Sequence, residues 1–228
     1  MKNMAWSVVV CMVAWTWSTT AWAQEEPEFI EHRSTLDVAF DGDVQVLSVG
    51  HVPYLRLLPV DWFRAGIGAR AFVATGGDLR MAQVDTENMG DGSMDVDAFR
   101  ADRLLTGSVN LGLYLKFSIV GRVELGLNFD LVGLPWAWSS AGEYEPVDGD
   151  PTRLDPIGTP FPSIGFTRGQ VTSDNLTVGY VFADDWVGFV GWNFTGLEVE
   201  TGEVPDGVRA GRYERTNSLI KLGVGHTW

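Results

Sequence analysis

The chain has 228 residues, 30 acidic against 16 basic, for a formal net charge of −14. So acidic a balance argues against nucleic acid as a partner. The one cysteine, Cys11, falls in the N-terminal apolar stretch, which excludes a disulfide-stapled domain, a cysteine enzyme and a thiolate metal site from the rest of the chain.

Residues 1–23 read as a secretory signal peptide. Lys2 supplies the positive start, Ala5 to Trp17 the apolar stretch, and Ala21-Trp22-Ala23 a small-x-small cleavage site, with processing expected after Ala23. Residues 24–32 form an acidic lead-in with Glu25, Glu26, Glu28 and Glu31 and no apolar period.

From residue 33 the period is two, the signature of strands, and an all-β domain is expected over 33–228. Leu36, Val38 and Phe40 open it, and a weaker run covers Val44 to Leu57. Phe63, Ile67, Ala69, Ala71 and Val73 then alternate with Arg64, Gly66, Gly68 and Arg70. Leu105, Val109, Leu111, Leu113, Leu115 and Phe117 alternate with Thr106, Ser108, Asn110, Gly112, Tyr114 and Lys116. After a few residues Val123, Leu125, Leu127, Phe129 and Leu131 alternate with Arg122, Glu124, Gly126, Asn128 and Asp130, making a hairpin. Leu176, Val178, Tyr180 and Phe182, then Trp186 to Val199, then Ile220, Leu222, Val224 and Trp228 complete the set. Eight strands are predicted, near 33–41, 43–57, 62–75, 103–117, 121–134, 171–182, 185–199 and 212–228.

Short and long connections alternate along the chain, except for a tight first link at Asp41-Gly42. This pattern resembles the eight-stranded outer-membrane barrels, which have short periplasmic turns and long outer loops. The resemblance implies an antiparallel up-and-down transmembrane β-barrel in the outer membrane, with membrane lipid and the outer-membrane assembly machinery as partners. It says little about activity.

Alternation alone leaves open whether the apolar face points into a soluble barrel or out into lipid. The polar face holds Gly, Ser, Thr and Asn with few charges, which suits a crowded interior better than a wetted surface. Strands of about 13 residues, rising about 3.3 Å each and tilted by about 40°, cross roughly 30 Å, a hydrocarbon band. Trp62, Phe117, Trp186 and Trp228 fall near one set of strand ends and Trp136 and Trp138 near the other, as interfacial girdles require. Lys221-x-Gly223-x-x-His226-x-Trp228 is similar to the terminal signal read by the assembly machinery, with His226 departing from the usual apolar residue.

If the polar face is inside, the lumen holds Asp37, Arg64, Arg70, Lys116, Arg122, Glu124, Asp130 and Lys221, which must pair to be tolerated. One reading is a structural ion-pair network that fills the lumen; another is a narrow gated conduit for small solutes. A third, a membrane-embedded lipid hydrolase, needs a His beside a Ser. Ser48 and His51 are three residues apart and so on opposite faces, His32 precedes the barrel, His226 faces lipid, and no His-x-Ser pattern occurs. The expectation is a non-enzymatic barrel without cofactor, structural or binding a ligand through its outer loops.

The acidic loop 75–101 contains Asp85, Glu87 and Asp91 in a stretch like a calcium loop, but Val96 stands where the bidentate acid belongs, and no metal site is expected. The proline-rich segment 136–169 is too long for an ordinary turn and reads as a surface feature or lid.

Overall fold

The structure, a computed structural model, describes residues 30–57, 60, 62–83, 97–139, 142–146, 150–154, 156–158, 163–164, 173–201 and 212–228. The expected signal segment with its expected cleavage site, and Asp85, Glu87 and Asp91, lie outside them.

Every described regular element is a strand: β1 (Ile30–Phe40), β2 (Val44–Leu55), β3 (Phe63–Gln83), β4 (Ala98–Val120), β5 (Val123–Ser139), β6 (Gly142–Glu145), β7 (Thr152–Leu154), β8 (Pro156–Gly158), β9 (Ser163–Ile164), β10 (Ser173–Ala183), β11 (Trp186–Thr201) and β12 (Arg212–Thr227). Eight of them close an antiparallel up-and-down ring, β1-β2-β3-β4-β5-β10-β11-β12, in which β12 returns to pair with β1 from Arg33↔Thr227 to Phe40↔Ile220. Closure leaves the ring without a free edge.

The expected strands are all present, with three differences. β1 starts at Ile30, so the end of the lead-in is strand and Glu31 belongs to the ring. β3 and β4 run well past the predicted ends at 75 and 103, taking up much of the expected loop 75–101. The segment expected to be irregular after Trp136 holds the short strands β6 to β9.

The two faces settle the direction of the barrel. Along β4, Thr106, Ser108 and Asn110 are completely buried, while Val109 and Leu111 between and beyond them are 44% and 52% exposed. Ile67, Leu134, Val190, Trp192 and Ile220 point out of other strands in the same way. Leaving such side chains in water forgoes about 1.5–3 kcal/mol each, and a band of them is the surface of a barrel immersed in lipid.

Two local devices reset which side of a strand faces outward. In β5 the register slips between Leu111↔Val132 and Gly112↔Asp130, leaving Leu131 as the extra residue of a bulge. The bulge reverses the alternation, so that Val132, Leu134 and Trp136 point outward where an unbroken strand would aim Leu131, Gly133 and Pro135. The ring of Trp136 then lies across Gly107, where a Cβ would stand 2.5 Å from Cζ2.

In β3, Asp78 takes a left-handed φ of 58°, and the side facing inward changes from Phe72 and Ala74 to Leu79 and Met81. Beyond that point β3 pairs directly with β12, Tyr213↔Gln83 and Glu214↔Ala82, above the tight β1–β2 turn. The short first connection is therefore bridged by the extended β3–β4 hairpin.

Candidate functional site

The lumen has two chemically distinct halves. Toward the end with the short turns it is charged, and Glu31 stands at its centre, hydrogen-bonded by Arg64, Lys116 and Arg33. Arg33 also grips Glu124 with both ends of its guanidinium, at 2.7 and 3.2 Å, a bidentate pairing. Lys116 lies 3.8 Å from Glu124 and its Nζ stands 5.1 Å from the centre of the Tyr54 ring.

Deeper in, Lys221 pairs with Asp37 at 3.0 Å, and Asp37 also accepts a hydrogen bond from Ser48. Arg70 donates to Asp130 at 2.8 Å, with both side chains 2% exposed. Asp130 further accepts from the Asn110 amide and the Ser173 backbone N–H. Lys221 continues to Asn175 at 2.9 Å, which joins Asn128 and Asn193 in a run of buried amides.

Seven of the eight expected lumen charges meet here. Asp37, Arg70, Lys116, Asp130 and Lys221 are buried, and Arg64 and Glu124 are half-buried at the rim. Arg122 is the exception. It sits with Gly121, whose φ is +55°, in the two-residue turn between β4 and β5 and is exposed, because alternation carries no meaning once the chain has left the strand. Sequence reasoning misses Glu31 and Arg33, which it leaves in the lead-in and at the strand's edge. The alternation of β1 carried back from Asp37 would have placed both inside.

Between the two layers of charge is a cavity of about 70 Å³, lined in part by Arg33, Asp37, Tyr54, Arg70, Tyr114 and Lys221. Arg70 Nε and Nη1 and Tyr114 Oη are buried there without a protein acceptor. Polar groups line part of the space, which is large enough for a few water molecules.

The other half of the lumen is mainly apolar, with Asn217 among its buried side chains. Val44, Val46, Phe72, Leu79, Met81, Phe99, Leu104, Leu197, Val199, Tyr213 and Leu219 form one buried cluster at 0–2% exposure. Phe99 packs on Tyr213 with ring centres 5.5 Å apart, and Tyr144 of β6 meets Tyr213 edge-on. Tyr144 donates to Asp97, and burial together with that carboxylate pushes its phenol well above the ordinary range. Outside this cluster Arg100 donates to Asp78, holding that exposed carboxyl below its usual range.

Several aromatics cluster at the short-turn end of the strands. Trp62 stacks with Phe117 and meets Phe63 at a tilt beside the β2–β3 link, and Trp228 stacks on His226 while Trp186 meets it at a tilt, at the short-turn rim. Trp136 stands on β5 toward the far end, and Trp138 follows in register with Leu105. Ser48 faces the lumen while His51, three residues on, faces outward next to Ser34. Among the described residues no group of three or more His, Cys, Asp or Glu side chains is arranged to hold a metal.

The sequence matches no protein-family model and no curated protein. Among solved structures the chain is similar to Ail, the attachment invasion locus protein of Yersinia pestis, in complex with the heparin analogue sucrose octasulfate, at 8% identity over 87% of this chain and 96% of that one, with a TM-score of 0.36. It is also similar to Neisserial surface protein A, at 11% identity over 86% and 94% with a TM-score of 0.32. A third is a major outer membrane protein from Thermus thermophilus, at 14% over 87% and 99% with a TM-score of 0.33. At these identities and scores the likeness is one of general architecture and transfers no ligand or activity.

Proposed function

We propose that this chain is a non-enzymatic barrel of the outer membrane, with a lumen closed by its own side chains and a function carried by what it presents beyond the membrane. The observation that carries this reading is the inverted polarity of the ring: an apolar exterior of Ile67, Leu111, Leu134 and Ile220 around a lumen of Asn110, Arg70, Asp130 and Lys221. The end with short turns is then periplasmic, and the long β3, β4, β11 and β12 extensions reach outward as a surface for structure or binding.

The apolar cluster around Phe99 and Tyr213 supports a closed lumen, since its buried side chains fill much of the barrel above the charges. Assembly of the barrel would use Lys221, Gly223 and His226 on the strand that closes the ring and Trp228 just beyond it. The cavity beside Arg70 favours a second reading, a narrow gated conduit.

Two measurements test the proposal. Outer-membrane fractionation with gel mobility that changes on heating is expected, and recovery as a soluble periplasmic protein would overturn it. In planar bilayers the purified barrel is expected to show no steady conductance; discrete ion-conducting openings would replace the closed barrel with the conduit.

A further inference from the structure

All three histidines of the chain, His32, His51 and His226, gather at the short-turn rim around Trp228. Their ring centres lie 6.1, 5.3 and 5.9 Å from that indole. The register of β1 on β2 places Ser34 directly opposite His51, and His32 is two residues back along β1 on the same outward face. The three side chains thus form a directly opposed pair with a diagonal neighbour, close enough to touch.

His51 Nδ1 lies 3.2 Å from Ser34 Oγ, and His51 Nε2 lies 3.4 Å from His32 Nδ1. The second separation is longer than the roughly 2.7–3.2 Å of an ordinary hydrogen bond from nitrogen. It does match the edge of a metal tetrahedron. Two imidazoles bound at about 2.0–2.1 Å with tetrahedral angles put their nitrogens about 3.3–3.4 Å apart, whereas neighbouring ligands of a square-planar ion stand about 2.8–3.0 Å apart.

We propose that His32 and His51 are the two protein ligands of a zinc site at this rim, with Ser34 as a positioning residue. Ser34 Oγ accepts the Nδ1–H of His51, which fixes the tautomer that leaves the Nε2 lone pair free for the ion. His32 binds through Nδ1 and carries its proton on Nε2. Water fills the remaining two positions, and both imidazoles are half-buried at the edge of the barrel. A bound ion ties β1 to β2 beside the β1–β12 contact that closes the ring.

The test is zinc titration of the protein folded in detergent micelles, against a chromophoric indicator. One ion per barrel is expected. His51→Gln and His32→Gln each weaken binding at least about tenfold, Ser34→Ala weakens it about tenfold, and His226→Gln leaves it unchanged. Each variant is first shown to be folded by its heat-dependent gel mobility. Cobalt(II) on the wild-type protein gives a second readout that needs no variant: a strong visible absorption band is expected of a tetrahedral ion. No saturable zinc binding, binding retained by His32→Gln and His51→Gln, an equal loss in His226→Gln, or a weak octahedral cobalt spectrum would each overturn the proposal and leave the pair as packing around Trp228.

Discussion

The short-turn half of the lumen is filled by Glu31, Arg33, Lys116, Glu124, Arg70 and Asp130, and the other half by Phe72, Leu79, Met81, Phe99 and Tyr213. Both fill the same ring, but they hold it together differently. In the apolar half each side chain contributes by its own burial and packing. In the charged half each group is costly alone and tolerated only through its partner, so the pairing specifies an arrangement more than it adds stability.

The contrast is most sharply tested at Arg70 and Asp130. Asp130→Ala leaves the Arg70 guanidinium buried and unpaired and is expected to cost about 3–5 kcal/mol, read from denaturant unfolding in detergent. Replacing both, Arg70→Met with Asp130→Leu, is expected to recover most of that loss. A double variant as unstable as the single would show that the charges do more than tolerate one another.

In the apolar half, Met81→Ala removes a fully buried side chain and is expected to cost about 2–4 kcal/mol with no second substitution able to restore it except one that refills the volume. At the wall of the barrel, Gly191→Ala would put a Cβ 2.0 Å from the Leu176 carbonyl oxygen, and the backbone must move to accept it. A loss of about 1–3 kcal/mol is expected there, independent of which half is intact.

The smallest effect belongs outside both halves. Arg100→Ala removes the cation that holds the Asp78 carboxyl down, so its NMR titration moves up toward the ordinary aspartate range. The sign is that of a depressed acid, whose favourable contribution is present above its unfolded pKa and lost as pH falls through the folded value. Because the pair is exposed, unfolding midpoints at neutral pH are expected to stay where they are.

Much of this was legible from alternation. The polar residues of β4 and β5 from Thr106 to Asp130 read as one face, and they are one face. The apolar half of the lumen was not legible, and the reason is visible in β2. There Val44, Val46 and Val52 point inward while Leu47 and Val49 point outward, so both faces are apolar and the period of two disappears. Leu79 and Met81 escaped for another reason. A single left-handed residue, Asp78, changes which parity faces in, and the Gly76-Gly77 pair before it marks a break without saying which face follows. Zinc-site geometry at His32 and His51 depends on which residues of β1 and β2 stand opposite one another, which alternation within one strand cannot supply.

The pairing of β3 with β12 above the β1–β2 turn bears on how the ring comes into being. β12 must find two partners far back along the chain, β1 along its length and β3 at its start, before either contact is complete. Such contacts carry a large loop-closure cost and form late. A chain still lacking its last strand holds two open edges, one on β1 and one on β11, and the arrival of residues 212–227 removes both at once. Closure is thereby a single event, fastened at two heights by one strand.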